Sequence, residues 1–183
     1  MARKETYTKE DILNKSVLFI KEIGLDKLTV RELAKYIGCS TQPIFRYYKN
    51  MDDFKEDLKI YLRKDYESFI NKYIDEEDYL VTISYGYSLY AKNESNVFKA
   101  LFLSDLSGTR TINEIFNTER NIPTLIAMRM QYNISRDKAE NIYRDVRFYT
   151  HGIASQLSNN SIKLSDKEIY ELIFNMINKC LKD

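Results

Sequence analysis

The chain has 183 residues, 44% hydrophobic and 30% charged, with five Gly and two Pro, a composition that excludes a disordered chain and favours a helix-rich globule. The formal net charge of +1 excludes a uniformly basic nucleic-acid coat, yet residues 1–50 carry ten Lys and Arg against six Asp and Glu, and the remainder eighteen against twenty-one. No charged-then-apolar leader and no apolar run long enough to span a bilayer is present, and Cys39, Cys180 and His151 have no metal-ligand spacing, so the expectation is a cytoplasmic protein with reduced thiols, no metal, no cofactor and no membrane partner.

Helical spacing dominates from the start. Behind Thr8 as N-cap, Ile12, Ser16, Phe19, Ile20 and Ile23, flanked by Leu13 and Val17, form one apolar stripe that Gly24 ends. A second short helix opens on the capping-box pattern Thr29-Val30-Arg31-Glu32 and runs through Leu33, Ala34 and Ile37 to Gly38. Ser40 is the expected cap of a third, with Pro43 in its first turn and Ile44, Phe45 and Tyr48 facing inward. From about Asp52 a longer helix carries Phe54, Leu58, Tyr61, Leu62, Phe69 and Tyr73. Further helices are expected over 78–92, 95–103, 123–132, 135–158 and 165–182, the last behind a second capping box, Ser165-Asp166-Lys167-Glu168. Residues 104–122 show no periodicity, no segment alternates like a strand, and the expected fold class is all-α.

Two short helices joined by Gly38-Cys39-Ser40 behind a supporting helix have the spacing of a helix-turn-helix, whose second helix enters the major groove. The stretch from Thr8 to Leu58 resembles the TetR family of transcriptional regulators. The residues that carry the resemblance are Thr8 and Ile12, Glu22-Ile23-Gly24, Leu28 to Ala34, Ile37-Gly38-Cys39-Ser40, Ile44-Phe45-Arg46-Tyr47-Tyr48, and Asp52 to Leu58. It implies a three-helix DNA-binding domain over 1–50 and a helical ligand-binding and dimerisation domain over 51–183. The implied function is a homodimeric repressor that holds a palindromic double-stranded DNA operator and is released by a small-molecule effector.

On that reading Thr29 and Ser40 sit at helix N-termini near phosphates, Thr41, Gln42, Arg46 and Tyr47 face base edges and nearby phosphates, and Arg31 and Lys49 are further DNA contacts. Gln42 suits adenine, and Arg46 suits guanine or phosphate. Five residues depart from the family pattern: Ser16, Phe45, the Tyr47-Tyr48 pair and Met51. Phe45 lacks a hydroxyl and Met51 a cation that the family usually offers to phosphate, a loss for which Lys49, Tyr47 or the arm Arg3-Lys4 would compensate.

The body interleaves aromatic with small and polar residues, the composition of a drug-sized pocket as well as of an ordinary core. The candidate ligand-binding residues are Tyr85, Tyr90, Phe98, Phe102, Arg147, Phe148 and His151. The resemblance implies pairing of two copies through the last two helices, with Ile153, Leu157, Ile169, Leu172, Ile173, Met176 and Ile177 at the interface. The alternative keeps the DNA-binding head and makes the body a protein-interaction surface without a small ligand. Enzyme function is not expected: no Ser/His/Asp or Cys/His set and no glycine-rich phosphate loop is legible. The residues do not encode whether regulation is negative or positive.

Overall fold

A computed structural model describes residues 7–108, 111, 112, 114, 118 and 121–182. Among them every regular element is helical: α1 Lys9–Ile23, α2 Val30–Ile37, α3 Gln42–Tyr47, α4 Met51–Ile70, α5 Tyr79–Asn93, α6 Ser95–Phe102, α7 Asn121–Tyr132, α8 Arg136–Ser158 and α9 Asp166–Lys182, with short 3-10 turns at Leu25–Lys27, Glu76–Asp78 and Asp105–Ser107. The fold is all-α. Residues 109, 110, 113, 115–117, 119 and 120 of the aperiodic stretch 104–122 lie outside the described residues.

The chain divides into two compact units, 1–66 with 96–107, and 67–95 with 108–183. The first unit is therefore larger than residues 1–50: it takes in α4 as far as Tyr66 and, from further along the chain, nearly all of α6.

In the first unit α1 starts where Thr8 closes a reciprocal cap. The Asp11 amide donates to Thr8 Oγ1 at 3.0 Å and the Thr8 amide to Asp11 Oδ2 at 2.9 Å. Ile12, Leu13, Phe19 and Ile20 are buried along its inner face, each contributing about 1.5–3 kcal/mol by removal from water. Gly24, at φ +103°, ends the helix in backbone space that an L side chain rarely adopts. Phe19 meets Tyr36 of α2 edge-on at 5.3 Å. Ion pairs from Lys9 to Asp57 at 2.5 Å and from Lys21 to Asp65 at 2.8 Å tie α1 to α4, and Asn96 Nδ2 donates to the Lys21 carbonyl at 3.0 Å.

In the second unit α5 packs against α7, α8 and α9, and α8 against α7 and α9. Leu80, Val81, Leu89, Met128, Ala139, Ile142, Val146, Ile153, Leu157, Ile169, Ile173 and Ile177 form its core. The α8 and α9 starts follow the sequence: Ser135 accepts from the Lys138 amide at 3.2 Å, and Ser165 and Glu168 cap each other reciprocally, Ser165 N to Glu168 Oε2 at 2.7 Å and Glu168 N to Ser165 Oγ at 3.3 Å. Among the described residues no helix is long and apolar enough to cross a membrane.

Candidate nucleic-acid interface and candidate ligand site

The turn between α2 and α3 is set by Gly38 at φ +83°, ψ +30°, where the backbone is left-handed and the Gly38 and Cys39 amides both donate to the Ala34 carbonyl, at 3.0 and 2.9 Å. Thr29 caps α2 by accepting from the Glu32 amide at 3.1 Å. Ser40 does not cap α3, as the sequence had suggested. That helix begins at Gln42, with Thr41 in the cap position and no side-chain capping bond, while Pro43 does sit in the first turn.

Ile44 and Tyr48, one helical turn apart, are buried on the inner side of α3, so Phe45 between them turns outward and is 56% exposed. The expectation that Phe45 packs inward is thus overturned. Tyr48 meets Phe54 edge-on at 5.1 Å with the Lys9 ammonium 5.3 Å from its ring centre. Burial, with the Asp57 carboxylate beside it, drives the Tyr48 phenol well above its usual range. Asp57 is held below the ordinary carboxylate range chiefly by Lys9.

Thr29, Arg31, Ser40, Gln42, Arg46, Tyr47 and Lys49 are all exposed, and Thr41 is partly so. Tyr47 donates its hydroxyl to the Tyr7 carbonyl at 3.2 Å, and the Tyr7 hydroxyl reaches the Ile37 carbonyl at 3.5 Å, so the chain before α1 is pinned across the ends of α2 and α3. Some cations of this unit are ion-paired among the described residues and others, Lys15 of α1 among them, are not. Lys9, Lys21 and Lys27 pair with Asp57, Asp65 and Asp26. Arg31, Lys35, Arg46 and Lys49, all on or beside α2 and α3, form no ion pair among the described residues. Lys35 was not singled out from the sequence; its exposed position on α2 adds it. Arg3 and Lys4 lie outside the described residues.

The candidate ligand residues do not all belong to one unit. Phe98 and Phe102 are in the first, where their rings lie 5.0 Å apart and Phe102 meets Tyr66 edge-on at 5.2 Å. Tyr85, Tyr90, Arg147, Phe148 and His151 are in the second. Tyr90 is fully buried against Phe69, and Tyr85 stands edge-on to Tyr73 and Tyr170. Arg147 and His151 are partly buried on α8, while Phe148 turns away and is exposed. Two neighbours of this group went unassigned in the sequence. The Tyr87 hydroxyl lies 2.8 Å from His151 Nδ1, and the Tyr143 hydroxyl donates to Asn121 Oδ1 at 2.8 Å. Burial, reinforced by the Arg147 charge, depresses the His151 imidazolium, and burial raises the Tyr143 phenol. Among the described residues no group of three or more His, Cys, Asp or Glu side chains could hold a metal ion.

Of the residues assigned to a dimer interface, Ile153, Leu157, Ile169, Ile173 and Ile177 are buried in the core of their own unit. Their side chains pack within the chain itself. Leu172 is exposed and Met176 partly so, and α8 and α9 also expose Phe148 and Phe174. Compared with known proteins, the chain matches no family model and no curated protein.

Proposed function

We propose that the chain is a DNA-binding transcriptional regulator of the TetR type, with α1–α3 as a helix-turn-helix head and the second unit as a helical sensing and dimerising body. The observation that carries this reading is the set of exposed cations without ion pairs, Arg31, Lys35, Arg46 and Lys49, gathered on and beside the α2–turn–α3 segment, when Lys9, Lys21 and Lys27 before it are paired with carboxylates. A cation without a carboxylate partner is free to take a phosphate oxygen with no ion pair to break. The exposed Gln42, Phe45 and Arg46 of α3 give that helix an outer face able to meet base edges and thymine methyl groups.

Two such heads read a palindromic site when two copies pair, with half-sites about 34–36 Å apart. Leu172 and Phe174 of α9 and Phe148 of α8 are exposed apolar side chains able to meet a second copy. A ligand in the body that favours one head spacing over another weakens DNA binding, and the coupling is reciprocal. The test is binding of the purified protein to the intergenic DNA upstream of its own coding sequence, against random DNA of equal length, at two salt concentrations. Specific, salt-sensitive binding is expected; no preference for any sequence in that DNA or in a randomised pool would refute the proposal.

A further inference from the structure

The two residues ahead of α1 are held on both sides. Thr8 is locked to α1 by its reciprocal cap with Asp11, in which the Thr8 hydroxyl also donates to Asp11 Oδ2 at 2.7 Å. Tyr7 is locked to the other two helices. Its carbonyl accepts from the Tyr47 hydroxyl at 3.2 Å, and its own hydroxyl donates to the Ile37 carbonyl at 3.5 Å. Ile37 is the last residue of α2 and Tyr47 the last of α3, so one residue bridges the ends of both. The bond to Ile37 has a local reason: the last carbonyls of a helix have no donor within the helix, and a phenol beside them supplies one. The bond from Tyr47 has no such reason. Tyr47 is 37% exposed, and water satisfies a hydroxyl in that position nearly as well. What this bond fixes is the point from which the preceding chain leaves the three helices.

That chain carries cations. Arg3 and Lys4 stand four and three residues before Tyr7, followed by a single acid, Glu5. A fully extended chain gains at most about 3.6 Å per residue, so the Cα atoms of Arg3 and Lys4 are within about 14 and 11 Å of that of Tyr7. The tether therefore confines two cations to the neighbourhood of the α2 and α3 ends. There Lys35, Arg46 and Lys49 are exposed and form no ion pair among the described residues. Confinement has an energetic consequence. A cation on a free chain loses part of its phosphate-binding free energy to ordering that chain, and one whose chain is already anchored loses less.

We propose that Tyr47 serves DNA binding as a positioning residue and not as a DNA contact: by holding the Tyr7 carbonyl it fixes the chain ahead of α1 across the ends of α2 and α3, and so sets Arg3 and Lys4 to meet phosphates beside the half-site read by α3. This rests on the reading of α1–α3 as a DNA-binding head. The single proton of the Tyr47 hydroxyl goes to the Tyr7 carbonyl, which leaves no hydrogen for a phosphate oxygen, a group that only accepts. The tether and a direct phosphate contact thus exclude each other.

The test is a double-mutant cycle on the full-length protein. Binding to a duplex selected from its upstream intergenic DNA or from a randomised pool is read by fluorescence anisotropy at several salt concentrations. Arg3→Gln with Lys4→Gln raises the slope of log K against log salt by about 1.8 for each head engaged. Tyr47→Phe, which keeps the ring and removes only the hydroxyl, weakens binding about two- to tenfold in the parent protein and not at all in the Arg3→Gln, Lys4→Gln background. Tyr7→Phe, which cuts the bond to Ile37, shows the same dependence on background. An equal loss from Tyr47→Phe in both backgrounds marks a direct contact or a merely structural role and overturns the proposal. So does an unchanged salt slope in the Arg3→Gln, Lys4→Gln variant. The two readings fail separately: specific binding by the parent that is indifferent to these substitutions sinks the tether alone, whereas a parent with no preference for any sequence sinks the DNA-binding reading and the tether with it.

Discussion

Neutralising Arg46 and Lys49 together, as Arg46→Gln and Lys49→Gln, is the sharpest perturbation of the proposed interface. Both side chains are exposed and neither has an ion-pair partner to leave orphaned, so the stability of the fold should move by less than about 0.5 kcal/mol. The effect on DNA binding is of a different size. Each phosphate neutralised by a cation adds about −0.9 to the slope of log K against log salt. If Arg31, Lys35, Arg46 and Lys49 all meet phosphates, one head contributes a slope of about −3.6 and a two-headed complex about −7. The double variant raises the slope by about 1.8 for each head engaged. Fluorescence anisotropy of a labelled duplex, titrated between about 0.05 and 0.3 M salt, measures this directly. A gain near 3.6 counts two heads on one site, and a gain near 1.8 counts one. A slope unchanged within about half a unit would mean that these cations do not meet phosphates, and the argument from their lack of carboxylate partners would fail.

Two adjacent residues of α9 should behave oppositely. Ile173, fully buried, costs about 2–5 kcal/mol when cut to Ala in urea unfolding, whereas Leu172, 37% exposed, leaves stability within about 0.5 kcal/mol but, as Leu172→Asp, moves the sedimentation equilibrium towards monomer. Gly38→Ala should destabilise by about 1–2 kcal/mol through backbone strain alone, since at φ +83° an added Cβ would meet no atom within 4 Å; Gly38→Asn should cost less, and equal costs in urea melts would contradict this. His151 is depressed in the folded protein from 6.5, so its neutral form contributes stability that is fully present above that pH and is lost as pH falls towards the folded value. The slope from this one proton is at most about 1.4 kcal/mol per pH unit, and His151→Asn should remove it below about pH 6.5; an unchanged slope would show that the imidazole is not desolvated.

The helices were legible wherever a capping side chain and several turns of apolar period agreed. Thr8, Ser135 and Ser165 each cap the helix they were expected to open. Where the element was short, the pattern had too little length to fix a phase. Over the six residues of α3 the expectation that Phe45 faces inward with Ile44 and Tyr48 was overridden by tertiary packing, and the expected cap Ser40 forms no capping bond. The broad stripe of α9 carried a different ambiguity. Apolar spacing shows that Ile169, Leu172, Ile173 and Met176 share one side of the helix, but not which edge is covered by the chain itself. The site features were the least readable. Tyr87 and His151 are neighbours across 64 residues of sequence, and nothing local marks Thr150 as a hydroxyl without a partner.

The first compact unit is built from two separated pieces of chain, 1–66 and 96–107, with the whole of α5 synthesised between them. Val97, Phe98, Ala100 and Leu101 of the second piece are buried. During translation, then, α1 to α3 emerge long before the last helix of their own unit, and the apolar surface that α6 finally covers stays open meanwhile. A nascent chain stalled after Tyr66 should be protease-sensitive and prone to chaperone capture, and one stalled with residue 107 clear of the ribosome should not. For the same reason the α1–α3 segment proposed to bind DNA is not a module that evolution or a protein engineer can lift out at residue 50 and graft elsewhere without taking α6 along.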